Sequence, residues 1–121
     1  MTYSTLISCE ELARHLDDPD WRVFDCRHQL ADVAHGDKSY ARGHLPGAFF
    51  MHVDRDLSGT MNGVNGRHPL PDPQQLADKL GAAGVTRQTQ VAVYDDDGGM
   101  YAARLWWLLR WLGHDRVAVL D

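Results

Sequence analysis

Cysteine is scarce in this chain: two residues, Cys9 and Cys26, among 121. Two thiols do not make a disulfide framework, so a hydrophobic core has to hold the fold together. Basic runs are missing too, and the formal net charge is −5. A nucleic-acid surface needs a basic stripe, so that class is set aside. The longest apolar stretch, "YAARLWWLLRWL", is interrupted by Arg104 and Arg110 and falls far short of a membrane span. The N-terminus, "MTYSTLISCEE", has neither the basic nor the apolar region of a secretory signal. The chain contains no HExxH motif, and no Cys/His set has zinc spacing. We therefore expect the seven histidines to be scattered over the surface, and we expect no metal, no cofactor, no nucleic-acid partner and no membrane. A reducing cytoplasm fits all of these absences.

What remains is ordinary globular material. Hydrophobic residues make up 44% and charged residues 24%, in a length that suits one domain with a real core. "LISCEELARHL" reads as a short strand and then a helix, with Ser8 as N-cap and Glu11 completing a capping-box pattern. Residues 21–26 and 47–53 read as strands. Between them lies an irregular polar segment with one helical turn near Ser39 to Arg42. Residues 54–73 make the longest loop, and a loop of that length is more often functional or packed against a neighbour. Asp72 and Pro73 open a helix that runs to about Ala83. A strand at 91–95, a helix over 100–112 and a strand at 116–120 follow. Alternating strands and helices predict an α/β fold with a parallel sheet covered on both faces. Ligands of such sheets bind beyond the carboxyl ends of the strands.

Two loops leave such ends. The stretch "VAVYDDDGGMYAAR" turns from strand to helix through a short glycine-bearing loop. Its N–H groups and the helix dipole would stabilise an anion or a thiolate. The loop has no Cys, Ser or Thr, and Asp95 sits where a nucleophile would sit. A carboxylate there can cap the helix, fill the anion site and repel incoming anions. It can alternatively act as a catalytic acyl-phosphate former. The second loop begins at Cys26, beside Arg27, whose charge favours a thiolate. A buried structural cysteine is the competing reading. Asp25 and Arg27 suggest an ion pair pinning the strand end to a loop such as the one with His44. Cys9 has no assignable histidine partner. In "GRHPLP", His68 and Arg67 either bind a small anion or are simply solvated. Finally, Trp106, Trp107 and Trp111 cannot all point into one small sheet, so part of their helix needs another cover.

Taken together, "FDCR", "YARGHLPGAFFMHVDRDLSG", "GRHPLP", "VAVYDDDGG" and "AARLWWLLRWLGHDRVAVLD" resemble the N-terminal domain of two-domain rhodanese-type sulfurtransferases, over nearly the whole chain. The resemblance implies a rhodanese-like three-layer α/β sandwich, with a parallel sheet of about five strands between helices. It implies that residues 1–121 form the catalytically vacant N-terminal domain, and that the catalytic cysteine lies in a C-terminal rhodanese domain beyond "VLD". Asp95 aligns with the vacant position of that cysteine. His68 and Tyr101 match positions that contribute to the substrate pocket. The implied reaction moves a sulfane sulfur from thiosulfate or 3-mercaptopyruvate to cyanide or a thiol through a cysteine persulfide. The implied partners are the second domain and a small anionic sulfur donor. Two other readings stay open: a stand-alone inactive module that binds a partner, and a phosphatase-like or redox role for Cys26.

Overall fold

The computed structural model describes residues 2–121. Five strands form a single parallel sheet: β1 (Leu6–Ile7), β2 (Trp21–Asp25), β3 (Phe49–Phe50), β4 (Gln90–Tyr94) and β5 (Val117–Leu120). Their order is β1-β5-β4-β2-β3. The helices are α1 (Cys9–Ala13), α2 (His35–Arg42), α3 (Pro73–Ala82) and α4 (Met100–Trp111). Strands β2 and β4 pair over five residues, from Trp21 with Gln90 to Asp25 with Tyr94.

Successive side chains of a strand face opposite sides, and here both sides are apolar. Val91, Val93, Phe24 and Val117 pack with Leu76 and Leu80 of α3 and with Leu105, Leu108 and Leu109 of α4. Ala92, Ala118, Val23 and Ile7 face the other way, onto Leu12 of α1. The expected layered α/β architecture is therefore present, and "QVAVY" reads as an unbroken apolar run because β4 is covered on both faces. Each fully buried leucine or valine here contributes about 1.5–3 kcal/mol of transfer free energy. Among the described residues no helix is long and apolar enough to cross a membrane.

Local capping explains where most helices begin. The Asp72 carboxylate accepts the Gln75 N–H at 3.0 Å, with Pro73 in the first turn of α3. Ser8 Oγ accepts the Glu11 N–H at 3.2 Å. The reciprocal half of the capping box is not made: the Glu11 carboxylate takes the Tyr3 hydroxyl at 2.7 Å and the Arg14 guanidinium instead.

Two elements differ from the sequence expectation. Helix α2 has eight residues rather than a single turn. It has no side-chain cap, so contacts from outside the helix define it. Gly36 lies so close to the Arg27 carbonyl that a Cβ would come within 2.2 Å of it. Tyr40 donates to the Ala48 carbonyl at 2.5 Å, and Arg55 pairs with Asp37 at 2.7 Å. Strand β3 is shorter than the expected 47–53. After Met51 N–H bonds the Asp25 carbonyl, His52 N–H turns to the Asp56 carboxylate at 2.7 Å. A side-chain acceptor thereby ends the ladder.

No regular element lies between Phe50 and Pro73, yet the segment is tied down. Arg104 of α4 donates to the carbonyls of Leu57, His68 and Pro69 at 3.0–3.1 Å. Gly59 N–H bonds the Pro69 carbonyl, and a Cβ on Gly59 would sit 2.5 Å from the Leu70 carbonyl. The long loop is packed against a helix of its own domain.

Candidate functional site at the C-terminal edge of the sheet

The β4–α4 crossing holds an anion site that the chain fills itself. Gly98 and Gly99 adopt left-handed backbone, φ 71° and 91°, and swing the loop amides inward. Asp95 Oδ1 accepts the N–H groups of Asp97 and Gly99, each at 2.8 Å. Oδ2 accepts those of Tyr101 at 2.8 Å and Ala102 at 2.7 Å. A carboxylate offers about four lone-pair positions, so all of them are engaged. Tyr101 and Ala102 lie in the first turn of α4 and Gly99 is its N-cap, so three of the donors are helix-end amides that otherwise have no partner, and Asp97 belongs to the preceding loop. Saturated in this way, Asp95 is a charge-assisted helix cap with no free lone pair for attack. That geometry favours the capping reading over the acyl-phosphate one.

Cys26 directly follows β2 at the same edge of the sheet, and its exposure is 0%. Burial pushes its thiol well above the ordinary cysteine value, and the charges of Asp25, Asp95 and Asp56 push further in the same direction. The side chain is an un-ionised core thiol packed among Phe24, Met51 and Tyr101, not a thiolate. Cys9 is exposed at the start of α1, with the Asp121 carbonyl 3.7 Å from its sulfur.

The expected Asp25–Arg27 pair forms, with Arg27 Nη2 at 2.6 Å from Asp25 Oδ2. The same guanidinium donates to the Gly43 carbonyl at 2.6 Å, beside His44 as anticipated. Sequence reading missed the third partner. Tyr94 donates its hydroxyl to Asp25 at 3.1 Å and accepts the Leu45 N–H at 3.1 Å. Its pKa is pushed up to about 12, chiefly by burial, so it remains a donor. Its only sequence signal was its place opposite Asp25 at a strand end.

The histidines require a correction. They are not all scattered over the surface: His28 and His52 are buried, at 1% and 4% exposure. His28 lies just beyond β2, and the rings of His52, His68 and Tyr101 pack edge-on to it at centroid distances of 5.3, 6.4 and 5.1 Å. His68 Nε2 is 2.9 Å from Asp54 Oδ1. His52 is fully engaged: Nδ1 accepts the Asp54 and Arg55 N–H groups, and Nε2 donates to the Val33 carbonyl at 2.7 Å. Among the described residues, neither ring nitrogen of His28 has a partner. Burial lowers its pKa; the Asp54 charge opposes this, and the neighbouring His52, His68 and His35 reinforce it. Next to it opens a cavity of about 340 Å³, lined by His28, Asp54, Ser58, Arg67 and His68 among others. His68 and Tyr101, far apart in sequence, thus both pack against the same buried imidazole. Burial raises the pKa of the Tyr101 hydroxyl, with help from Asp97 and Asp95.

A family model, the rhodanese-like domain, matches residues 8–121. The chain belongs to the rhodanese family. This rhodanese domain is 49% identical, over 100% of its length, to a Pseudomonas aeruginosa protein named "Probable 3-mercaptopyruvate sulfurtransferase", of which it covers 43%. It is 33% identical to the thiosulfate sulfurtransferase of Bos taurus, over 98% of this chain and 41% of that protein. The solved 3-mercaptopyruvate sulfurtransferase from Leishmania major superposes with a TM-score of 0.86 at 35% identity, over 96% of this chain and 32% of that one. The chain therefore spans well under half the length of these relatives.

One face of the rhodanese domain is left apolar. Trp106 is half-buried, donates to the Ser4 carbonyl at 2.9 Å, and lies beneath the Arg110 guanidinium. Trp107 and Trp111 stack on each other with centroids 6.0 Å apart, at 48% and 40% exposure. Met100, also exposed, falls on the same helical stripe. The sequence expectation that the three tryptophans cannot share one sheet is met by this division.

Proposed function

We propose that this chain is the nucleophile-free half of a two-domain sulfurtransferase. The observation that carries the reading is the Asp95 carboxylate, saturated by four backbone N–H groups at the crossing where a rhodanese nucleophile would need them. Thiosulfate gives its sulfane sulfur, or 3-mercaptopyruvate its thiol sulfur, to a cysteine thiolate in a second rhodanese domain of the same polypeptide, with cleavage of the S–S or the C–S bond. Sulfite or the pyruvate enolate leaves with the bonding pair, and a cysteine persulfide is formed. Cyanide or a thiolate then attacks the outer sulfur, releases thiocyanate or a new persulfide, and restores the thiolate. The present domain contributes scaffold and the near side of the pocket, with His68 and Tyr101 facing the donor. Arg67, exposed in the same cavity wall, supplies positive charge for a small anion. Support comes from relatives named for both donors and from the short share of their length that this chain covers.

A second reading, a stand-alone module docking a partner, is favoured by the exposed Met100–Trp107–Trp111 stripe. The natural reading frame separates the two: a downstream Cys-led loop before a helix supports the first, and a stop codon after Asp121 supports the second. Activity supplies the direct test. Thiocyanate formation from either donor and cyanide is expected from the full polypeptide and absent from the 121-residue chain alone. Activity of the chain alone, lost on Cys26→Ser, overturns the proposal and restores the Cys26 reading.

A further inference from the structure

His28, Asp54 and His68 come from two separate segments, the exit of β2 and the long loop after β3, and meet at the carboxyl edge of the sheet. One ligand atom from each lies within 4.8 Å of those of the other two. We propose that these three side chains form a binding site for a divalent cation of the Zn²⁺ class. Sequence spacing had suggested no metal, since the ligands obey no local motif. The proposal does not depend on sulfur transfer.

Several observations point the same way. His28 is 1% exposed, and among the described residues neither of its nitrogens has a partner. Each of the other six histidines has a hydrogen-bonding neighbour. A buried polar group without a partner costs about 1–3 kcal/mol, so an imidazole kept in this state calls for a ligand. His52, also nearby, has both nitrogens committed and is not part of the set. His68 and Asp54 already approach to 2.9 Å.

The donor set selects the ion. Two imidazole nitrogens and one carboxylate oxygen suit Zn²⁺, Co²⁺ or Ni²⁺, whereas Mg²⁺ and Ca²⁺ prefer all-oxygen shells. Ligand bonds of about 2.0–2.1 Å require the three atoms to sit roughly 3.3 Å from one another, so the His68–Asp54 pair, now at 2.9 Å, opens slightly while the wider separations within 4.8 Å close. His68 and Asp54 lie on a loop and are only partly buried, so they can make most of that movement. Three protein ligands leave a fourth position, which faces the cavity of about 340 Å³ and takes water. Among the described residues Arg67 is the one Lys or Arg in that wall, and it is exposed enough to turn away.

The test uses the untagged full polypeptide, stripped with a chelator and titrated calorimetrically with Zn²⁺ at neutral pH. A Co²⁺ titration read by visible d–d absorption runs in parallel. A saturable site is expected, with a tetrahedral Co²⁺ spectrum. Asp54→Asn and His68→Gln should each weaken Zn²⁺ roughly ten-fold or more and abolish that spectrum. Both residues lie in a partly exposed loop, so these variants keep the fold if His28→Gln does not. Cys9→Ser and His35→Gln should bind as the parent does. The proposal is overturned if the parent shows no saturable Zn²⁺ binding. It is equally overturned if Asp54→Asn and His68→Gln bind like the parent, or if only Cys9→Ser or His35→Gln loses binding.

Discussion

At the scale of single residues, the chemistry of the crossing follows from one side chain. Asp95 does by itself what a glycine-rich anion loop and a bound anion otherwise do together: it gives three helix-end amides and one loop amide a negative acceptor. Asparagine has the same shape but only one acceptor oxygen. In Asp95→Asn, the amide nitrogen would face two of the four N–H groups and leave them without an acceptor. We expect a loss of about 2–4 kcal/mol, given charge-assisted bonds of roughly 1.5–3 kcal/mol each. Urea unfolding of the parent and variant measures this. A difference below about 0.5 kcal/mol, the range of a neutral surface change, would contradict the capping role. Cys26 shows the opposite logic. Its neighbours are a core and three carboxylates, which favour the protonated thiol, so proximity to a loop at the sheet edge does not make it reactive.

At the scale of elements, α4 organises the site twice. Its first turn is capped by Asp95, and one turn further on Arg104 reaches out to the long loop. Three carbonyls, of Leu57, His68 and Pro69, share that guanidinium, whose pKa burial lowers. Arg104→Met keeps the apolar stem and removes the donors. The variant is expected to lose about 2–3 kcal/mol of stability, from several weakened bonds to a charged donor. Amide hydrogen exchange should rise at Gly59, whose N–H bonds the Pro69 carbonyl, while β4 stays protected. Unchanged exchange at Gly59 would mean that the loop is held by its own turns. Helix α2 teaches a different lesson. Its residues are polar and its N-cap side chain makes no bond, and Gly36, Tyr40 and Asp37 are fastened from other segments.

At the scale of the whole molecule, the sheet is covered on both faces, but α4 turns Trp107, Trp111 and Met100 outward. These side chains add little to this domain's own core. Replacing both tryptophans with glutamine should therefore change the stability of the isolated chain by no more than about 0.5 kcal/mol per site. In the full two-domain polypeptide proposed above, the same change should separate the thermal transitions of the two domains and lower the first. Coincident, unshifted transitions in calorimetry would show that the stripe lies outside any domain interface.

The sequence by itself determined what depends on neighbours within a turn or two. The apolar run in "QVAVY", the caps at Ser8 and Asp72, and the carboxylate-led loop at Asp95 all act locally, so the element order and a strand-to-helix crossing that opens on a carboxylate were legible without coordinates. Only the tertiary structure decided what depends on contacts across the chain. The length of α2, the early end of β3, the joining of Tyr94 to the Asp25–Arg27 pair and the meeting of His28 with Asp54 and His68 join segments up to 69 positions apart. No local period or spacing encodes such a meeting, because sheet order and loop packing bring those residues together.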